Sequence, residues 1–93
     1  MILIDPPEWW HRDRWWGHMV SDHSFDELHA FAERLGVPRR GFDRDHYDIP
    51  AHAHDAAIAA GAVLVSSKEL VTRLAAAGLR RPKHLHRPLA ADA

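Results

Sequence analysis

The sequence predicts a small α/β protein, a single-domain sandwich in which a largely parallel sheet of roughly three or four short strands packs against about three helices. Unbroken apolar runs at residues 2–4 and 62–65 are typical of strands buried on both faces. Helical patterns with clear caps alternate with these runs, and this alternation favours parallel pairing. We therefore expect one domain over residues 1–79 and a frayed tail over residues 80–93, basic at first and then rich in Ala and Pro.

The first predicted strand, residues 2–4, is stopped by Asp5 and the two prolines that follow it. Ligands and catalytic groups collect at the carboxyl ends of strands in open α/β sheets, so Asp5 is a candidate catalytic acid. The alternative interpretation is a turn or cap aspartate without a chemical role.

The next segment, residues 6–17, carries two Trp pairs on either side of the sequence His-Arg-Asp-Arg. One interpretation is a loop-like connection folded over the sheet edge, with most of its indoles in the core. The other is a lid, a partner interface or a stacking surface, because interleaved Trp and Arg suit nucleic-acid bases and phosphates. The candidate binding residues are Trp15, Trp16, Arg12, Arg39 and Arg40.

Residues 15–36, with the sequence WWGHMVSDHSFDELHAFAERLG, predict a strand, a turn and a helix. Alternation along the strand puts His18, Val20 and Asp22 on one face. Both His18 and Asp22 could then serve a site on that face. Asp22 also has a plain alternative role, which is to bond the backbone of the turn or favour the positive end of the following helix.

The helix that follows begins at a predicted capping box, formed by Ser24 and Glu27, and ends at Gly36. His29 lies on the apolar face of this helix. A histidine at that position is more often partly buried and hydrogen-bonded than a metal ligand.

Residues 46–50, with the sequence HYDIP, are predicted to be extended after an irregular acidic piece at residues 43–45. In an extended chain His46 and Asp48 point to one side and Tyr47 to the other. The first two residues therefore form a compact polar pair, and Tyr47 is expected in the core.

Proline and alanine mark the next helix, at residues 51–60, which ends at Gly61. Its histidines, His52 and His54, are expected to be exposed. Residues 62–65 then predict a second buried parallel strand.

The last predicted helix starts with a second capping box, Ser66 and Glu69, and ends at Gly78. The residues after it are increasingly basic, which could allow contact with an anionic partner. No internal repeat is visible in the sequence.

Composition limits the classes of function. The formal net charge of −1 gives no overall field that would attract nucleic acid or an anionic membrane, so a polyanion would need a local patch. The absence of cysteine excludes disulfides and thiolate metal sites. No segment resembles a signal peptide or a membrane span, and we expect a cytoplasmic protein without a membrane partner.

The order of these motifs, from WWGHMVSD through FDELHAFAERLG and HYDI to GAVLVSSKEL, resembles the DUF4031 family of small bacterial and phage domains. The resemblance covers roughly residues 1–74 and implies one compact domain without supplying an activity. The doubled Trp pairs and the tail look particular to this chain. The resemblance matches family motif positions to Asp5, His18, Asp22, His29 and the run His46-Tyr47-Asp48.

Parallel strands would bring the acids at their carboxyl ends together, with Ser66 nearby. The sequence predicts catalytic roles for Asp5, Asp22, His46 and Asp48, and a metal site formed by His18, Asp22, His46 and Asp48. Carboxylates with imidazoles suit Mg²⁺, Mn²⁺ or Zn²⁺, and such an ion can orient water and neutralise a phosphoryl oxygen. We therefore expect a metal-dependent hydrolase of phosphoesters in nucleic acids or nucleotides.

A binding module without chemistry is the alternative. In that case the Trp- and Arg-rich segment, residues 9–16, would hold nucleic acid, a nucleotide or a protein partner. A second copy of the chain is one such partner, because small domains with limited cores often gain stability by forming homodimers.

Overall fold

The computed structural model describes residues 1–82, which form a sheet of six strands and three helices. The strands are Ile2–Ile4 (β1), Trp9–His11 (β2), Arg14–Ser21 (β3), Phe42–Asp43 (β4), His46–Pro50 (β5) and Val63–Leu64 (β6). The helices are Phe25–Leu35 (α1), Ala51–Ala59 (α2) and Ser67–Ala76 (α3), with a short 3-10 turn at Arg39–Gly41.

The strand order is β4-β5-β3-β1-β6, and β2 pairs with β3 beyond the end of β1. The α/β class and the three helices are confirmed, but the prediction of a largely parallel sheet is wrong, because only β1 and β6 pair in parallel. For the pairs β2–β3 and β4–β5 the physical reason is the short connections. Two-residue turns join β2 to β3 and β4 to β5, and a turn of that length can join only antiparallel strands.

The segment at residues 6–17 is the main departure from expectation. It forms the hairpin β2–β3, whose turn residues Arg12 and Asp13 both have positive φ, at 52° and 59°. These values are typical of the turn that matches the twist of a two-stranded hairpin. Trp9, Trp10 and Trp15 are exposed, so the interpretation in which most of the indoles lie in the core is wrong.

Strand β6 pairs in parallel with β1, as predicted, but it is not buried. It forms an edge of the sheet, and its Val63 and Leu64 are 40% and 52% exposed. An unbroken apolar run does not separate a central strand from an edge strand, because both need β-forming residues.

The helix caps follow the sequence closely. Ser24 Oγ accepts a hydrogen bond from the backbone N–H of Glu27 at 3.0 Å, and Gly36 ends α1 with φ 85°. The Glu27 carboxylate binds Ser21 Oγ at 2.5 Å, so only one half of the predicted box is formed. At α3, Ser66 Oγ accepts from the backbone N–H of Glu69 at 3.1 Å.

Two apolar clusters lie on opposite faces of the sheet. Helices α1 and α2 cover one face, and α3 covers the other, which leaves the candidate site beside α3. Full burial of one such aliphatic side chain contributes about 1.5–3 kcal/mol to folding. The α1/α2 face includes Ile4, Met19, Leu28, Tyr47 and Ile49, and the α3 face includes Leu3, Val20, Leu70 and Leu74.

The predicted tail starts in contact with the domain. Arg80 and Arg81 both bind Asp45, and residues 83–93 of the predicted tail lie outside the described residues. Within residues 1–82, none of the helices has the length and apolar character needed to cross a membrane.

Candidate metal centre

Three possible metal ligands converge on the α3 face of the sheet. His18 on β3 is the register partner of Asp48 on β5, and His46 stands two residues before Asp48 on the same strand face. One ligand atom from each of these side chains lies within 4.8 Å of those of the other two. Two imidazoles and one carboxylate are a donor set that suits Zn²⁺ and other divalent transition ions.

The imidazole of His18 is oriented by a buried carboxylate. Asp5 Oδ2 lies 3.0 Å from Nδ1 of His18, while Asp5 Oδ1 accepts the backbone N–H of the same residue. Ser67 Oγ, at the start of α3, donates to Asp5 Oδ2 at 2.6 Å. Burial opposes ionisation of Asp5, but these hydrogen bonds outweigh it and hold the pKa of the carboxyl below its usual value. Asp5 therefore acts as an anionic acceptor for Nδ1, and Nε2 of His18 has no hydrogen-bond partner among residues 1–82.

His46 has the same arrangement with a different aspartate. Asp45 is fully buried, and its Oδ1 lies 2.8 Å from Nδ1 of His46. Burial favours the protonated acid, but hydrogen bonds from His46, the backbone of Arg81 and the guanidinium of Arg80 hold the pKa of Asp45 below its usual value. Metal-binding histidines commonly donate their second ring N–H to a carboxylate in this way.

The other ring nitrogen of His46 faces a carboxylate oxygen. Nε2 of His46 lies 3.1 Å from Asp48 Oδ1, an oxygen that is buried and has no hydrogen-bond partner of good geometry among residues 1–82. Because the ionised Asp45 requires Nδ1 to donate, a neutral His46 turns the lone pair of Nε2 toward this oxygen. Two facing acceptors repel, and a cation between them satisfies both.

Burial lowers the pKa of His46, but Asp48 and Asp45 raise it more strongly, so the pKa lies above its usual value. In the metal-free protein a proton can therefore neutralise the contact between His46 and Asp48. A metal ion would replace that proton.

A cavity of about 360 Å³ opens over these groups. Its walls differ in character: the sheet supplies the three possible ligands, Leu70 and Val71 of α3 form an apolar wall, and Trp9 stands at one side. Two arginines also line it, Arg44 and Arg80. A volume of this size is in the range of small-molecule sites.

A sequence profile described as a protein of unknown function (DUF4031) matches residues 2–77 of the chain. The chain belongs to the DUF4031 family. No curated protein and no solved structure has significant similarity to it.

In this DUF4031 domain, four of the predicted site residues come together and Asp22 does not. Asp5, His18, His46 and Asp48 all line the cavity. Asp22 instead lies 2.7 Å from Arg73 Nη2 and 3.0 Å from the amino group of Met1. Because β1 and β3 are antiparallel, the acids that follow their carboxyl ends lie at opposite ends of the strand pair.

The predicted binding residues are not gathered in one place. Trp15, 47% exposed, faces away from the centre, and Arg12 occupies the hairpin turn. Trp16 Nε1 donates to the carbonyl of His11 at 2.8 Å. Arg39 and Arg40 are exposed on the 3-10 turn, where Arg39 lines a separate pocket beside His29 and Tyr47.

Sequence reasoning missed several residues in and around the candidate site. Asp45 looked like part of an irregular acidic piece, although an aspartate directly before a strand histidine was a usable signal. His54, expected to be exposed, is buried and its Nε2 lies 2.8 Å from the Asp5 carbonyl oxygen. Ser67, rather than the predicted Ser66, reaches Asp5, because Ser66 caps α3. No sequence pattern indicated the position of Trp9.

Proposed function

We propose that this DUF4031 domain is a metal-dependent hydrolase in which His18, His46 and Asp48 hold one divalent cation. The observation that carries the proposal is the buried oxygen Asp48 Oδ1, which faces Nε2 of His46 at 3.1 Å without a hydrogen-bond partner among the described residues. When His46 is neutral, a cation bound by both atoms removes the repulsion between their facing lone pairs. Buried polar atoms are rarely left unsatisfied, so this one calls for a physical explanation.

The donor set favours Zn²⁺ or a similar transition ion over Mg²⁺. Imidazole nitrogen is a poor match for Mg²⁺, which prefers oxygen ligands and keeps several waters. Three protein ligands leave a fourth position open, as in catalytic zinc sites. A cation held in this way lowers the pKa of a bound water and neutralises charge on a substrate oxygen.

The cavity supports a phosphoester as the substrate class. Arg44 and Arg80 line its wall, and a guanidinium matches the geometry of a phosphate. In the free protein these cations bind Asp43 and Asp45 at 3.1 Å, so they are held beside the cavity before a substrate arrives. The volume suits a phosphoester no larger than a nucleotide, or one exposed unit of a nucleic acid.

The test is metal binding by tag-free protein after treatment with a chelator. We expect one Zn²⁺, Co²⁺ or Mn²⁺ per chain by elemental analysis and calorimetry, and hydrolysis of an aryl phosphate that a chelator abolishes. His46→Ala controls for adventitious binding to the other histidines. Asp48→Asn should weaken binding at least tenfold, while Asp22→Asn, a matched change at the opposite edge of the sheet, should leave it unchanged. Equal affinity of the wild type and Asp48→Asn would overturn the assignment.

The hairpin supports a second candidate function, a binding module. Trp10 and Trp15 are 54% and 47% exposed, and their rings meet edge to face with centroids 5.1 Å apart. Exposed aromatic rings beside Arg12 suit stacking on single-stranded nucleic acid. If this function is correct, the domain binds an oligonucleotide with an affinity that falls steeply as salt is added. Trp10→Ala and Trp15→Ala should reduce that affinity, and Asp48→Asn should leave it unchanged.

A further inference from the structure

Trp9 connects the hairpin to the candidate metal centre. Its ring stacks on the imidazole of His18, with centroids 5.5 Å apart and planes 16° apart. It also stacks on His11, at 5.2 Å and 5°. Three aromatic rings thus lie nearly parallel, and the last of them is a proposed metal ligand.

The strand register explains this placement. Trp9 is the register partner of Trp16, and His18 is two residues beyond Trp16 on the same face of β3. His11 pairs with Arg14, in the other direction along the strand. Trp9 therefore lies between the two histidines along the strand direction.

The adjacent residue, Trp10, provides an internal comparison. Side chains alternate along a strand, so Trp10 points to the opposite face, where its ring meets Trp15. The chain thus holds neighbouring tryptophans of which one contacts the centre and the other does not.

His18 needs this support more than His46 does. The side chain of His18 is 34% exposed, whereas that of His46 is 13% exposed and has an acid on each ring nitrogen. Asp5 fixes Nδ1 of His18, but a single hydrogen bond leaves the ring free to tilt about it. The ring also contacts the imidazole of His46 edge to face, with centroids 5.2 Å apart.

We infer that Trp9 is a positioning residue for the metal centre, which holds the plane of the His18 imidazole so that Nε2 points at the ion. The inference rests on the proposed function. It gives the hairpin a role in the site, and it makes the stacked ring as much a part of the ligand geometry as the carboxylate of Asp5.

The experiment compares Zn²⁺ and Co²⁺ affinity in the full chain and in three variants: Trp9→Leu, Trp9→Phe and Trp10→Leu. We expect Trp9→Leu to lower the affinity about tenfold, near the lower limit found for groups that orient ligands. Trp9→Phe should recover most of the loss, because a phenyl ring can still stack. Trp10→Leu, with the same loss of an indole, should bind as the wild type does.

The visible spectrum of bound Co²⁺ separates positioning from a general loss of stability, because it reports the ligand geometry. Trp9→Leu should change the band positions, while Trp9→Phe and Trp10→Leu keep them. Indole emission provides a second measurement that is independent of folding defects in Trp9→Leu. Zn²⁺ should alter it in the wild type and in Trp10→Phe, and should not alter it in Trp9→Phe.

The outcomes distinguish this inference from the proposed function. A wild-type protein that binds no metal overturns both. The other case is a wild-type protein that binds metal while Trp9→Leu and Trp10→Leu have equal affinities and equal Co²⁺ spectra. That result leaves the metal centre intact and overturns the role of Trp9. If Trp9→Leu is unfolded by circular dichroism, a Zn²⁺-induced change in emission that persists in Trp9→Phe is the overturning result.

Discussion

His18 on β3 and Asp48 on β5 stand directly opposite each other in the antiparallel pair that forms the middle of the sheet. Directly opposed residues have Cβ atoms roughly 4.5–5.5 Å apart, and His46 shares their face. The three possible ligands therefore belong to two hydrogen-bonded strands and to no loop. Sites on strands hold their geometry better than sites on loops, so this cluster is preformed in the metal-free fold.

Gly17 should be intolerant of even one methyl group. A Cβ at this position would lie 2.7 Å from the backbone oxygen of Asp5, which cannot move without displacing the hydrogen bonds of its own side chain. We expect Gly17→Ala to lower the free energy of unfolding by about 1–3 kcal/mol, the usual range for overpacking. Urea denaturation measures this loss of stability. Gly61→Ala is not a suitable control, because Gly61 has a φ of 119°, which strains any residue with a Cβ. A Gly17→Ala protein as stable as the wild type would contradict the close contact.

Asp45 should matter for both stability and metal affinity. Its carboxylate accepts from the Arg81 backbone at 2.6 Å and from Arg80 at 3.1 Å, besides orienting His46. Asp45→Asn keeps the shape and removes the charge, so we expect a loss of about 1–3 kcal/mol in stability and a 10- to 100-fold loss in Zn²⁺ affinity.

Chemical denaturation and calorimetry measure these two effects of Asp45→Asn. Asp55→Asn, on the exposed side of α2, is the matched control and should behave as the wild type does. An Asp45→Asn protein with unchanged affinity would show that His46 needs no orienting carboxylate.

His29 should make stability depend on pH. Burial, reinforced by the charge of Arg39, holds the pKa of His29 below its usual value of 6.5. The unfolded chain then binds a proton more readily than the folded one does, so stability is fully present above pH 6.5 and is lost as pH falls through the lower, folded-state pKa.

The comparison for His29 uses urea unfolding at neutral and at mildly acidic pH. The wild type should lose more free energy of unfolding on acidification than His29→Gln, which has no titrating ring. The exposed histidine variant His52→Gln should retain the wild-type difference. Identical pH dependence in the wild type and His29→Gln would exclude this linkage.

The turn of the β2–β3 hairpin offers a stabilising change. Arg12 and Asp13 both adopt positive φ, which costs free energy in any residue with a Cβ. Asn at the first position and Gly at the second are the residues that such turns favour. We expect the double substitution to raise the free energy of unfolding by about 1 kcal/mol, the lower end of the cost of one left-handed residue. Arg12→Val should lower it, because a β-branched residue tolerates this conformation poorly. Thermal unfolding of the three proteins tests the order.

The sequence predicted which residues share a strand face, but it did not predict how the strands pair. Alternation along residues 46–50 put His46 and Asp48 together, and the same rule applied to His18. The direction of β3 relative to β1 was not encoded in any local pattern. That direction determines where Asp22 lies. A parallel pair would have brought Asp22 close to Asp5, whereas the antiparallel pair places the two residues at opposite ends of the strands.

Burial of single polar residues was also beyond local patterns. His54 looks like an exposed residue in an alanine-rich helix, and only the packing of α2 against the end of β1 brings it to the Asp5 carbonyl. The caps at Ser24 and Ser66 were predictable, because a cap depends on neighbours within one turn. Contacts over short distances in the sequence could be predicted, and contacts that depend on the tertiary fold could not.

The hydrogen bond between Asp5 and Ser67 joins residues that are 62 positions apart in the chain. Asp5 and the two donors that His18 offers its carboxylate are synthesised early, but the third donor, the Ser67 hydroxyl, follows only when α3 begins. Assembly of the centre is therefore a late event that requires nearly the whole domain, and a shortened nascent chain would lack it. An ion that binds only the finished centre would stabilise the entire fold, by about 2.7 kcal/mol at a concentration one hundred times its dissociation constant.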